Sequence, residues 1–195
     1  MIKKDSTNFV LHAKSDEFFW EGNGQLSIKT FSNGKAHYKT NKGFFSVEEG
    51  RYLLLNEGAY TISIDESNVV ESFCVFFKDG FAEEVYHSLN KTNDSLLSDP
   101  FKDTSSIGFF EKTYHKSKTL SYQLETFKEI LPFLDIDSVG YEEQFHKLMY
   151  SILNEHSTTY KEVESLHAFV ILHAKNYIEG LVLPMIISDH FIINL

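Results

Sequence analysis

One stretch, GRYLLLNEGAYTISIDESNVVESFCVFF from Gly50 to Phe77, restricts the fold more than any other part of the chain. Tyr60, Ile62 and Ile64 share one parity, and Thr61 and Ser63 take the other. Successive side chains of a strand point to opposite faces, so this pattern describes a sheet with one buried side. Tyr52–Leu55 reads as a strand, Asn56-Glu57-Gly58 as a turn, and Asp65-Glu66-Ser67-Asn68 as a second turn. Val69–Phe77 is apolar on nearly both faces, with Phe73, Val75 and Phe77 against Cys74 and Phe76. A strand of that kind needs a packed layer on each side.

The segments before it behave alike. Leu26–Phe31 and Ala36–Thr40 flank Ser32-Asn33-Gly34. Asn-Gly accepts the backbone angles of a tight turn, so these two form a hairpin. KGFFSVEEG adds another strand ending at Gly50, and Phe18, Phe19 and Trp20 form an aromatic cluster. Residues 1 to about 16 read as an arm or first edge strand. Several short strands joined by tight turns predict an antiparallel barrel or sandwich. Its bulk comes from aromatic rings, 18 Phe and 10 Tyr beside a single Trp.

The pattern changes after Gly80. Phe81–Leu89 reads as a short helix, residues 90–106 as a polar loop, and Phe109–Tyr114 as a short strand. Leu120, Leu124, Phe127 and Leu131 recur at three or four, which predicts a helix stopped by Pro132. After a linker at Asp135–Gly140, Phe145, Leu148, Met149 and Ile152 mark a second stripe over about 141–156. A third, from Val163 through Ile178, covers about 160–179, and Gly180 fits a stop beyond it. The apolar tail LVLPMIISDHFIINL is too short for a core of its own. The predicted class is therefore α+β. It divides into a barrel domain over 1–115, a helical region over 116–180 and the tail over 181–195.

Charge narrows the partners. The formal net charge is −10, the pI is about 5.3, and Arg51 is the sole arginine. A duplex-binding surface needs many cations to neutralise phosphates, so the chain as it stands is expected to repel DNA. Anionic membranes are disfavoured for the same reason. Cys74 is the single cysteine, so no intrachain disulfide forms. The N-terminus lacks the apolar core of a signal peptide, and no segment reaches the roughly 20 apolar residues of a membrane span. The expected location is the cytoplasm.

Few residues offer chemistry. No two histidines stand at the spacing of a metal pair, and Cys74 sits among apolar neighbours as a small hydrophobe. The carboxylates from Glu48 to Glu71 gather at turns and strand ends. Arg51 is the chain's one fork-shaped donor. It either pairs with a neighbouring carboxylate or clamps an anionic or polar ligand at the barrel mouth, with Tyr38 and Tyr60 lining that mouth.

Taken with these residues, the opening stretch resembles the amino-terminal sensing domain of AraC-type transcription regulators. The likeness lies in Gly50, Tyr52, Leu53–Leu55, Asn56-Glu57-Gly58, Tyr60, Glu71, Phe73 and Val75–Phe77. It extends to Lys78-Asp79-Gly80-Phe81 with its helix onset, and to LHAFVILHAKNYIEG. The resemblance implies a cupin-like barrel that binds a small-molecule effector, with no catalytic step, no cofactor and no metal. It implies a homodimer through the helical region; the helix at 163–178, apolar on several faces, suits either that contact or burial within the monomer. It also implies a carboxyl-terminal pair of helix-turn-helix units. After Lys175–Glu179 only the apolar tail remains, so DNA is expected to be reached through a module that this sequence lacks or holds in part. The pocket lining expected on this reading is Tyr52, Leu54, Tyr60 and Ile62, with Tyr38 and Arg51 at the mouth. The competing reading is a cupin-type metal-dependent enzyme, which would need a cluster of His and carboxylate ligands.

Overall fold

The computed structural model describes residues 7–90, 107–136 and 138–156. Residues Met1–Asn154 make one compact unit and Glu155–Leu195 a second. The sheet belongs to the first. Its strands are β1 (Phe9–Gly24), β2 (Ser27–Ser32), β3 (Lys35–Thr40), β4 (Gly43–Glu48), β5 (Arg51–Leu55), β6 (Gly58–Phe76) and β7 (Lys112–His115). Helix α1 spans Phe81–Asn90 and α2 spans Lys118–Ile130, with a short 3-10 turn at Leu131–Phe133. Residues 139–156 form a further helix, α3.

The long strand β6 organises the sheet. One edge pairs with β1 along almost its whole length. The other edge is shared: its first half pairs with β3 and its second half with β2. Two branches leave that edge, β3–β4 and β2–β5–β7, all antiparallel. They curl toward each other, and Thr113 Oγ1 of β7 donates to the Ser46 carbonyl of β4 at 3.3 Å. The result is the nearly closed antiparallel barrel, followed by helices, that the alternation predicts.

Turn chemistry holds where it was expected. Asn33 adopts φ 63° between β2 and β3, and Gly50 adopts φ 78° between β4 and β5. Both values fall in the left-handed region that Asn and Gly tolerate best. Asn56 does more than turn the chain. Its side chain accepts from Phe109 N at 2.8 Å and donates to Phe109 O at 2.7 Å, so it fixes the approach to β7.

The predicted turn at Asp65–Asn68 is not present. The backbone there stays extended, and β6 runs unbroken from Gly58 to Phe76. The irregularity is absorbed in pairing instead. Ser15 faces Val70 and Glu17 faces Asp65, so four residues of β6 pass opposite a single residue of β1.

Two cores result, one on each side of the sheet. Phe31, Tyr38, Leu53, Leu55, Ile64, Val70 and Cys74 face the barrel interior. Ile28, Tyr52, Leu54, Phe73, Val75 and Phe77 face the helices, where Leu120, Leu124, Phe127, Phe145 and Leu148 cover them. This is why Val69–Phe77 is apolar on both faces. Rings knit the outer core: Phe127 meets Phe73 edge-on at 6.0 Å and Phe145 at 5.4 Å. Ser117 caps α2, its Oγ accepting from Leu120 N at 3.1 Å. Asn8 ties the layers together, accepting from Lys78 N at 2.9 Å and donating to Glu142 Oε2 at 2.8 Å. The predicted helix over 160–179 lies outside the described residues.

Candidate ligand-binding site

The barrel interior is not filled. Between β1, β2, β3 and β6 lies a cavity of about 400 Å³, within the usual range for small-molecule sites. Its walls are largely apolar, with Phe9, Leu11, Phe18 and Trp20 from β1 and Tyr60, Ile62, Ile64 and Phe76 from β6. Leu11 is 45% exposed and Trp20 37%, so β1 forms an open, greasy rim.

Strand β1 reaches this position through its bulge. Phe9, Leu11, Ala13 and Ser15 lie opposite the inward residues Phe76, Cys74, Ser72 and Val70. Beyond the register shift, Phe18 and Trp20 lie opposite Ile64 and Ile62. The inward set therefore passes from odd to even numbers, and Ser15 Oγ donates to the Glu17 carbonyl across the bulge. Glycines make room at the far end. A Cβ on Gly24 would stand 2.5 Å from Tyr60 Cε1, and one on Gly22 would stand 2.6 Å from the Trp20 ring. Trp20 and Tyr60 pack with ring centres 5.1 Å apart.

Lys29 of β2 brings a charge to these walls, and it is 2% exposed. Its Nζ donates to Tyr60 Oη at 3.2 Å and sits 3.4 Å from the centre of the Phe76 ring. Among the described residues it forms no ion pair with a carboxylate. Burial of a cation without a counter-ion favours loss of the proton, and Lys29 is pushed down to about 8. Burial works the other way on the acids around it. Tyr60 is pushed up to about 12, and Tyr38 and Cys74 are also raised. Tyr38 and Cys74 share a side-chain hydrogen bond. The inner end of the cavity is thus a compact polar group of Lys29, Tyr38, Tyr60 and Cys74 under an apolar chamber.

Of the residues expected at the pocket, Tyr38, Tyr60 and Ile62 line the cavity. Tyr52 and Leu54 do not; they lie on the opposite face, and Tyr52 stacks on Tyr114 at 5.4 Å. Register explains the split. Lys29 of β2 pairs with Leu53 on one side and Cys74 on the other, so odd residues of β5 share a face with even residues of β6. Arg51 does not line the cavity either, and its Nε pairs with Glu48 Oε1 at 3.5 Å. Sequence reasoning missed Lys29 and the β1 wall. The available signal was a lysine inside QLSIKTF, flanked by strands with apolar faces.

Among the described residues, no group of three or more His, Cys, Asp or Glu side chains is placed to hold a metal ion. The donor set that a cupin-type metal enzyme needs is not assembled there. No helix of the described residues is long and apolar enough to cross a membrane.

A nearly closed antiparallel barrel with an interior cavity and helices on its outer wall defines a fold class, a cupin-like barrel followed by helices. A crystal structure of an apo ToxT variant from Vibrio cholerae shares it, with TM-score 0.53 and 12% identity over 80% of this chain and 58% of that one. The structure of wild-type ToxT from the same organism with unsaturated fatty acid bound gives TM-score 0.48 and 14% identity, over 83% and 57%. No family model and no curated protein matches the chain. At 12% identity the likeness is one of fold, and the chain spans 58% of the ToxT chain's length.

Proposed function

We propose that residues 1–115 form the effector-sensing domain of an AraC-type transcription regulator. In this reading the effector is a small molecule with a long apolar body and one anionic end. The observation that carries it is Lys29, a buried cation facing an apolar cavity with no carboxylate among the described residues to balance it. Leaving such a charge unpaired costs several kcal/mol, on the order of the penalty for any desolvated ion. A carboxylate entering the cavity supplies the missing charge, and the walls of β1 and β6 accept the rest of the ligand. Tyr38, Tyr60 and Ile62 are contact residues of this site.

The signal leaves through β6. Ser72 and Cys74 touch the cavity, while Glu71 and Phe73, one residue away, face α2. A ligand that favours one position of this strand shifts the helices with it, and the two equilibria become linked. Residues 116–180 then form the helical region through which two copies associate, and DNA is reached through a separate module. The site itself performs no chemistry in this role.

Trp20 is the sole tryptophan and lines the cavity, so its fluorescence reports occupancy directly. Titration with decanoate should change the Trp20 emission saturably, and decanol should bind about tenfold or more weakly because it brings no charge. Equal binding of the two, or no response to either, overturns the reading.

A further inference from the structure

We infer that Lys29 is a nucleophilic amine that captures apolar aldehydes as a reversible imine inside the barrel. Imine capture rests on the cavity being the ligand site, and it adds a second chemical class of ligand to it.

Four features converge. Lys29 Nζ faces the cavity and, among the described residues, has no carboxylate partner to hold it as an ammonium ion. The Phe76 ring at 3.4 Å attracts a cation but cannot take its proton. Tyr60 Oη, 3.2 Å from Nζ, is a hydroxyl within hydrogen-bond reach of that nitrogen. The apolar walls admit the body of an aldehyde. The lowered pKa of the ammonium agrees with this geometry, since a desolvated lysine is the usual activated amine.

The step balances without an oxidant or reductant. The nitrogen lone pair adds to the carbonyl carbon, and the carbonyl π electrons move to oxygen, which takes a proton. The nitrogen gives up a proton, leaving a neutral carbinolamine. The nitrogen lone pair then forms the C=N bond as the hydroxyl departs, and the remaining nitrogen proton passes to that hydroxyl, which leaves as water. Tyr60 is placed to pass these protons between nitrogen and oxygen. The sum is aldehyde plus amine giving imine plus water, and it runs backward as readily.

The test traps the imine by reduction. The full chain is incubated with decanal and cyanoborohydride at about pH 7.5, digested, and its lysines compared by mass spectrometry. The decyl adduct should fall on Lys29 about tenfold above any other lysine, because a lowered pKa raises the neutral fraction more than it weakens the nucleophile. Excess decanoate should suppress that adduct, and Lys29→Arg should abolish it. Should the arginine variant fail to fold, the decanoate competition on the unaltered chain decides alone. Adducts spread evenly over the lysines, or an adduct on Lys29 that decanoate leaves undiminished, overturn the inference. A saturable Trp20 response to decanoate with no Lys29 adduct overturns imine capture and leaves the effector reading standing. No Trp20 response and no adduct overturn both.

Discussion

Lys29 donates from Nζ to the hydroxyl of Tyr60 at 3.2 Å within the barrel, a cation held by a neutral phenol. The pair has a signature in stability against pH. Lys29 titrates near 8 when folded and near its ordinary 10.5 when unfolded, so between those values the unfolded chain binds more protons. Stability should rise with pH across that window. The charged form costs the fold about 3 kcal/mol below it. Lys29→Met should be more stable at neutral pH and lose the rise. Above about pH 10 the raised phenols reverse the slope, because folded Tyr60 keeps its proton up to about 12. Urea unfolding at a series of pH values checks both limbs, and a Lys29→Met protein less stable at neutral pH would contradict the account.

Glu71 sets the acid limb. Lys128 of α2 donates to its Oε2 at 2.8 Å, His12 of β1 lies 2.8 Å from Oε1, and Ser32 of β2 donates at 3.2 Å. Lys128 first, then His12, holds the carboxyl down at about 2. The stability it contributes is present above about 4.5 and is lost as pH falls from there toward 2. Glu71→Gln should flatten the stability profile in that window. A profile with unchanged slope would mean that this junction of three strands and a helix does not couple to folding.

Gly24→Ala tests the inner end of the cavity. The added methyl would stand 2.7 Å from Tyr60 Oη, so the ring must shift from the position in which it accepts from Lys29. Overpacking of this kind should cost about 1–3 kcal/mol. Affinity for decanoate should fall about tenfold, the equivalent of one hydrogen bond lost from the site. Calorimetry and unfolding on the same protein separate the two effects; undiminished binding would place Tyr60 outside the ligand site.

Phe127 is the ring on which the helices seat. Phe127→Ala should destabilise the fold by about 3–5 kcal/mol, since a fully buried aromatic leaves a cavity among Phe73, Tyr141 and Phe145. Tyr122→Ala on the same helix, 73% exposed, should change stability by no more than about 0.5 kcal/mol. Similar losses at both positions would refute the assignment of the outer core.

The turns were legible because their chemistry is local. Asn33-Gly34, Gly50 and Gly58 each mark a strand end, and the helix stripes from Leu120 to Phe127 and from Phe145 to Ile152 fall where expected. Three features were not legible, each for a reason of register. The inward residues of β1 change parity between Ser15 and Phe18, so no period of two runs through the strand. Asp65–Asn68 has turn composition, yet pairing with β1 on either side holds it extended. Tyr52 and Tyr60 share parity but not a face, because pairing through β2 decides which residues of β5 and β6 align. Lys29 escaped notice because a charged residue in a strand ordinarily points to solvent.

The bulge at Ser15–Glu17 lets one strand be two walls. Phe9–Ser15 and Phe18–Trp20 take their orientation from separate stretches of β6. A sequence change that lengthens or shortens the kink by one position would turn Phe19 inward and Trp20 outward, and would take away the ring that packs on Tyr60, the acceptor of the Lys29 hydrogen bond. Selection for a differently shaped ligand that acts through this one kink would therefore reshape the apolar wall and the seat of the lysine together.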